Sequence, residues 1–260
     1  MMGMIDLVKD PYERKARVMP GLLVVLPILV PLVSVYGPRH AILTAVLGVL
    51  GGCGAIYTLA SVARMRGKDV EEKLVKRWGG LPTTISLRHR DTRYDSITKE
   101  RYHRLAESKL GIPIPTAEEE AIEPAKADQM YAGVAVKVRE DTRNDKALLL
   151  KENISYGFHR NCLGMRMPGV ITSIAGIAYG LIAAGVLTVE PYAWHPARLA
   201  DPGLPGGLTV AISAALLWAW LFHFNARAVR RAGDVYADRL FEAMSRLPTK
   251  RAKKAASNAA

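Results

Sequence analysis

Four long uncharged runs interrupt an otherwise polar chain. They span residues 21–36, 41–63, 169–189 and 207–222, and none of them contains Asp, Glu, Lys or Arg. Such runs are typical of bilayer-spanning helices, and the Trp/Phe group that ends the fourth suits a membrane interface. A cleaved signal peptide would explain the first run poorly, since a second apolar run follows within a few residues. The pattern predicts an integral membrane protein with about four transmembrane helices in two hairpins.

The segment after the second run continues a helical pattern. Val70, Leu74 and Trp78 recur at every fourth residue, which predicts that the second helix extends into the aqueous phase as far as Gly79. Thr83 or Thr84 is then suited to cap a short helix that would pass through the Arg/His cluster. That cluster is the stretch "RHRDTRYD" at residues 88–95.

Further helices are predicted between this cluster and the third run. One runs from about Ser96 to residue 110 and ends at Gly111. The stretch "TAEE" at 116–119 has the spacing of a capping box, in which Thr116 and Glu119 satisfy each other's free amides. Another helix spans about 145–163. The fold class is therefore all-α, with a helical cytoplasmic domain between the two hairpins and a cytoplasmic helix at the C-terminus.

Small residues mark places where helices approach closely. In the third run Gly176 and Gly180 form a small-xxx-small pair. The C-terminal helix carries an apolar or small residue at alternating steps of three and four, at Ala226, Val229, Gly233, Tyr236, Leu240, Ala243 and Leu247. This heptad spacing predicts a packed seam. Two partners are open, namely the helix that extends from the second span or another subunit.

These patterns divide the chain into five segments. A cytoplasmic flank at 1–18 precedes the first hairpin at 19–64, and the helical domain occupies 65–167. The second hairpin covers 168–224, and residues 225–260 form a helix with a basic tail.

Charge sets the expected orientation. The formal net charge is +12, and 34 of the 36 Lys and Arg residues lie on one side of the predicted spans, leaving only Arg39 and Arg198 opposite. By the positive-inside rule that side is cytoplasmic, with both termini inside. Of the two cysteines, Cys53 falls within a span and Cys162 stands alone, which predicts neither a disulfide framework nor a metal site.

Several function classes are disfavoured. No predicted span contains a charged residue in its interior, although ion-coupled pumps and transporters need intramembrane charge. The sequence has no P-loop, H-E-x-x-H, paired C-x-x-C or G-x-S-x-G motif. His89 and Asp91 are two residues apart, so on a helix they would face different directions. We therefore expect no catalytic site, cofactor or metal.

The basic residues are segregated beside the membrane. Residues 64–109 hold thirteen Lys and Arg against seven Asp and Glu, and the part from 224 onward holds nine against three. Aromatic residues are interleaved with them. The candidate residues for binding a nucleic acid or another phosphate ligand are Arg64, Arg66, Lys73, Lys76, Arg77, Trp78, Arg88, His89, Arg90, Arg93, Tyr94, Arg101, Tyr102, Arg227, Arg230 and Arg231.

Two kinds of anionic partner fit this pattern. Arg and Lys bind phosphates while aromatic faces stack bases, which suits a single-stranded nucleic acid. Anionic lipid headgroups need only the charges. The lipid alternative describes a membrane scaffold whose cytoplasmic helices recruit a partner protein, and a membrane enzyme with an unrecognised site is a third alternative.

Three stretches carry a resemblance to a known family. The combination of "DPYERKARVMP" before the first span, "WGGLPTTISLRHRD" after the first hairpin and "ENISYGFHRNCLG" before the third span resembles a family of bacterial anti-phage membrane effectors. In size, topology and charge the chain is similar to the channel component of the Hailong defence system. The resemblance implies a tetrameric channel of the bacterial inner membrane, held shut by single-stranded DNA oligomers from a partner nucleotidyltransferase. Loss of that DNA would open the channel.

Overall fold

The computed structural model describes residues 10–36, 54–142 and 146–248, together with residues 45 and 48. Its chain divides into two compact units: unit 1 combines residues 1–71 with 157–229, and unit 2 combines residues 72–156 with 230–260. The helices are α1 (Met19–Pro31), α2 (Ile56–Trp78), α3 (Pro82–Ile85), α4 (Ser96–Leu105), α5 (Ala117–Ile122), α6 (Pro124–Asp141), α7 (Lys146–Gly164), α8 (Arg166–Ala183), α9 (Gly203–Trp218) and α10 (Ala226–Met244). Short π-helical turns extend α1 at both ends and follow α4 and α9.

Unit 1 holds the helices that can cross a membrane. Within the described residues three are long and apolar enough, at Glu13–Ser34, Arg166–Ala183 and Gly203–His223. They coincide with the first, third and fourth predicted runs, which confirms a nearly all-α chain with three candidate membrane-spanning helices. The second predicted span, 41–63, falls largely outside the described residues, so the count of four stays a prediction.

The membrane helices of unit 1 approach one another closely. A Cβ on Gly180 of α8 would lie 2.7 Å from the Val210 Cγ2 atom of α9, and one on Gly176 would lie 2.8 Å from the Pro27 Cβ atom of α1. No larger residue fits either position without a helix shift. The small-xxx-small prediction for this pair is confirmed.

A β-hairpin connects α8 to α9, and no pattern in the sequence predicts it. Strands β1 (Leu187–Val189) and β2 (Tyr192–Trp194) pair antiparallel, with Leu187 opposite Trp194. The peptide bond between Glu190 and Pro191 at the turn is cis. The prediction of an all-α chain was wrong at this hairpin.

Unit 2 is built around an apolar core that joins α4, α6 and α10. Its members are Leu87, Tyr102, Ala106, Leu110, Ala127, Tyr131, Val134, Ala135, Val138, Ala237, Leu240, Phe241 and Met244. Local signals at its edge are confirmed. Gly111 ends the preceding helical turn with a φ of +67°, and Thr116 and Glu119 form the predicted capping box at the start of α5.

The short helix before the Arg/His cluster differs from the prediction. Helix α3 has Leu81 at its N-cap and Pro82 in its first turn, so Thr83 and Thr84 lie inside the helix instead of capping it. Proline favours the first helical position, because its fixed φ suits a helix and its missing N–H needs no partner there. The helix ends at Ile85, so the cluster lies in turns beyond it.

The C-terminal seam packs within unit 2. A Cβ on Gly233 would lie 2.8 Å from the Pro82 Cγ atom and 3.1 Å from the Tyr156 Cε2 atom. The Arg230 guanidinium lies 5.3 Å from the centre of the Trp78 ring, where α10 meets the end of α2. Contacts within the chain therefore account for the small residue at 233. Pro82 and Tyr156 lie on α3 and α7, and Arg230 is not a seam position, so docking of the seam on the extended second helix stays a prediction.

Candidate anion-binding surface

The residues Arg88–Tyr94, here called the arginine segment, are tied into unit 2 by carboxylates. Arg88 is 8% exposed and binds Asp128 of α6 in bidentate fashion, with Nε donating to Oδ1 at 2.7 Å and Nη2 to Oδ2 at 2.8 Å. The same Nη2 also donates to the Gly79 carbonyl oxygen. Since such a fork matches the carboxylate geometry, this arginine is already paired within its own chain.

Arg90, whose side chain is 45% exposed, pairs with the buried carboxylate of Glu120 on α5. Glu120 is 2% exposed and accepts from Arg90 Nη1 at 2.9 Å, from the His89 amide at 2.7 Å and from the Tyr131 hydroxyl at 2.6 Å. Burial alone would raise the pKa of Glu120, but these hydrogen bonds to the charged form outweigh burial and lower the pKa. The carboxylate is therefore kept ionised.

Arg93 and Tyr94 hold α10. Arg93 Nη2 donates to Asp238 Oδ2 at 2.6 Å and to the Asp234 carbonyl oxygen at 2.8 Å. The Tyr94 hydroxyl donates to the other Asp238 oxygen at 2.5 Å, and its ring meets Tyr102 edge to face. Burial and the hydrogen bond to Asp238 raise the pKa of Tyr94, so the phenol stays neutral. A phosphate would have to displace these carboxylates.

The histidines of unit 2 act as hydrogen-bond donors to the backbone. His89 Nε2 donates to the Pro115 carbonyl oxygen at 2.9 Å, and His103 Nε2 donates to the Leu87 carbonyl oxygen at 2.7 Å. The two rings meet edge to face with centroids 4.7 Å apart. The Asp91 carboxylate accepts from the Arg93 amide. The His89 ring is therefore oriented by a carbonyl group, and among the described residues no carboxylate is bonded to it as in a general-base pair.

A second group of basic residues stays open to solvent at the end of α2. Lys73, Lys76 and Arg77 are exposed, and their spacing of three and four puts them on one helix face. Exposed Arg231 follows Arg230, which contacts Trp78. In the described part of the chain none of Lys73, Lys76, Arg77 and Arg231 has a carboxylate partner. We call these four residues the helix-end surface.

The remaining predicted site residues are scattered. Arg64, Arg66 and Arg227 are exposed residues of unit 1. In unit 2 the Arg101 guanidinium lies 5.1 Å from the centre of the Tyr102 ring, and Tyr102 itself is 4% exposed. Arg230 covers Trp78 and pairs with Asp234 at 3.0 Å. The aromatic rings predicted to stack bases are thus engaged by neighbouring side chains.

The structure reveals three carboxylates that sequence reasoning missed. Asp128, Glu120 and Asp238 lie 40, 30 and 145 residues from the arginines that they bind. Long-range pairs of this kind leave no local spacing to recognise. Within the described residues no group of three or more His, Cys, Asp or Glu side chains is placed to hold a metal ion.

Comparisons with known proteins identify no relative of this chain. No protein-family model, curated protein or solved structure matches the chain. The function is therefore inferred from the residues and their geometry.

Proposed function

We propose that the protein is a homo-oligomeric channel of the bacterial inner membrane, controlled by an anionic ligand on the cytoplasmic side. Three membrane-crossing candidates in unit 1 support the membrane part of this proposal. The observation that carries the ligand part is the helix-end surface, because its basic side chains are exposed and lack carboxylate partners among the described residues. The resemblance to the channel component of the Hailong system adds three further parts to the proposal: a tetrameric assembly, a role in anti-phage defence and a partner nucleotidyltransferase.

We place the ligand contacts outside the arginine segment, although the sequence predicted them there. Arg88 and Arg93 already have carboxylate partners at 2.6–2.8 Å, whereas Lys73, Lys76 and Arg77 have none within the described chain. Free cationic side chains displace the counterions that are condensed on a polyanion, and the release of these counterions drives the association. The ligand that we propose is a single-stranded oligodeoxynucleotide held by its phosphates at the helix-end surface.

A scaffold that binds anionic lipid is the second candidate. It is favoured by the burial of Tyr102 and by the coverage of Trp78, because a surface without free aromatic faces recognises charge alone. The two candidates differ in whether soluble DNA binds at all.

Binding of labelled single-stranded DNA to the detergent-solubilised full chain separates them. The Lys73→Ala/Lys76→Ala/Arg77→Ala variant should weaken binding and flatten the plot of log affinity against log salt by about 2, since each phosphate contact contributes roughly 0.7. A matched variant removes three other exposed charges of unit 2, with Lys126→Ala, Arg139→Ala and Lys151→Ala. It should keep the wild-type affinity and slope.

The outcome decides between the candidates. No DNA binding by wild type, together with binding of a short-chain anionic phospholipid, would favour the scaffold. Equal losses in both triple variants would show that net charge matters and that the helix-end surface has no special role. Dye release from liposomes, measured before and after nuclease treatment of the DNA-bound protein, tests the channel and its control by the ligand.

A further inference from the structure

A line of polar side chains is exposed on the first turns of α2. Tyr57, Ser61, Arg64 and Lys68 follow one another at steps of four, three and four, so they share one helix face. All four are exposed, Tyr57 by 53%. Neither Arg64 nor Lys68 has a carboxylate partner in the described part of the chain. We call these four residues the polar stripe; it is about 16 Å long at 1.5 Å per residue.

A face of α2 that adjoins the polar stripe packs on the candidate membrane helices of unit 1. Buried Ala60 forms a small cluster with Val18 and Leu22 of the first candidate span. Ala63 belongs to a cluster with Trp220, which lies in the last candidate span. The polar stripe therefore runs beside apolar membrane helices.

The three candidate spans of unit 1 present a different surface over most of their length. In residues 19–34, 167–183 and 203–222 every exposed side chain is apolar, apart from a glycine at 203; the large ones are Met19, Ile28, Val33, Met167, Ile171, Ile174, Ile182, Leu204, Leu208, Trp218, Leu221 and Phe222. Their polar residues Ser173, Thr209 and Ser213 are fully buried. These outer faces suit lipid, whereas the polar stripe suits water.

We infer that the polar stripe lines the ion path of the channel and that Arg64 and Lys68 make this path selective for anions. The inference rests on the proposed channel function. In a symmetric oligomer every copy contributes the same stripe around the axis, so each basic residue forms a ring. Rings of Arg or Lys favour anions, just as rings of Asp or Glu favour cations.

The order of residues along α2 supports these roles. Tyr57 and Ser61 carry hydroxyl groups that can replace water around a passing ion, and the two cations follow one and two turns later. The nearby acidic residue Asp69 follows Lys68 directly, so it lies about 100° around the helix from the polar stripe. Glu71 and Glu72 lie three and four residues after Lys68, so they follow the stripe on the same helix face. Glu71 pairs with Arg160 at 2.8 Å, and the exposed Glu72 marks the end of the cationic part of this face.

Reversal potentials of the reconstituted full chain across a potassium chloride gradient test this inference. Wild type should have a chloride-to-potassium permeability ratio above one, and Arg64→Glu/Lys68→Glu should bring it below one. The control is Lys15→Glu, which reverses an exposed charge in the first helical turns of unit 1 and should leave the ratio unchanged. In a Cys53→Ser background, Ser61→Cys should lose conductance with a charged thiol reagent, and Ile174→Cys should not.

The results separate the inference from the function on which it rests. Wild-type protein that inserts and assembles but conducts no ions after ligand removal would overturn the channel and the inference together. A conducting wild type with an unchanged ratio in the double Glu variant would overturn the inference alone, and the stripe would then contact lipid headgroups. If the double variant fails to insert into the membrane, the Ser61→Cys protein decides. The inference alone is overturned when the charged thiol reagent does not modify this protein and its conductance is unchanged.

Discussion

Arg88 and Asp128 form a two-pronged ion pair between the arginine segment and α6, with N–O distances of 2.7 and 2.8 Å. The Arg88 side chain is 9% exposed and that of Asp128 is 29% exposed. A phosphate-binding residue would be expected at an open surface, so this geometry gives Arg88 a structural role. Arg93 also has a structural role, because its Nη2 joins the segment to Asp238 of α10 at 2.6 Å.

Removal of Asp128 should destabilise unit 2. Asp128→Ala leaves the buried Arg88 without its partner, and we expect a loss of about 3 kcal/mol, at the low end for such pairs because Asp128 is partly exposed. Thermal unfolding of the detergent-solubilised chain measures it. Glu123→Ala is the control, since it breaks an exposed pair with Lys126 and should change stability by less than about 1 kcal/mol. Equal shifts would mean that the Arg88 pair contributes nothing special.

Close packing between α2 and α7 should be sensitive to a single methyl group. A Cβ on Gly164 would lie 2.6 Å from the Arg66 carbonyl carbon and from the Gly67 nitrogen, both backbone atoms that cannot rotate away. Gly164→Ala should therefore cost about 1–3 kcal/mol.

Gly133 in α6 offers a matched comparison for that substitution. Nothing lies within 4 Å of its added Cβ, so Gly133→Ala should stabilise the helix by roughly 0.5–1 kcal/mol. Unfolding midpoints measured side by side should move in opposite directions. A stabilising Gly164→Ala would show that the two helices are not in contact there.

Acidification should destabilise unit 2 through His103. Burial lowers the pKa of His103 below its ordinary value of 6.5, so the folded form resists a proton that the unfolded chain accepts. The contribution of neutral His103 to the free energy of unfolding is fully present above pH 6.5 and is lost as the pH falls below that value. The pKa of Glu120 is lowered from 4.5, so this carboxylate does not change charge between pH 7.5 and 5.5.

A substitution isolates this effect. His103→Gln keeps a donor for the Leu87 carbonyl oxygen but cannot titrate. Between pH 7.5 and 5.5 the unfolding temperature of wild type should fall further than that of the variant. Parallel curves for the two proteins would assign the acid sensitivity to another group.

The hairpin between α8 and α9 should lie outside the cell membrane, because the charge asymmetry puts the basic segments inside. Tyr192 is 79% exposed, and Lys126 of unit 2 is also exposed. In a Cys53→Ser background, a membrane-impermeant maleimide should label Tyr192→Cys in spheroplasts and Lys126→Cys only after lysis. Buried Cys162 should stay unlabelled in both. The reverse pattern would invert the topology and remove the cytoplasmic ligand from the proposal.

Features that depend on neighbouring residues could be predicted from the sequence. Runs of apolar residues located three helices that are long and apolar enough to cross a membrane. The Thr116–Glu119 spacing located a helix start, and Gly111 located a helix end. Each of these signals acts within one or two helical turns, where residue type and backbone geometry are directly linked.

The role of the arginine segment, in contrast, came from tertiary contacts. Its sequence is the same whether the guanidinium groups face solvent or carboxylates, and the partner of Arg93 lies 145 residues away. The hairpin at Leu187–Trp194 likewise depends on pairing between its two strands, which no helical period records. Burial and pairing depend on which distant side chains arrive at the same place, so charge along the chain could indicate a basic surface but could not tell its free cations from its bound ones.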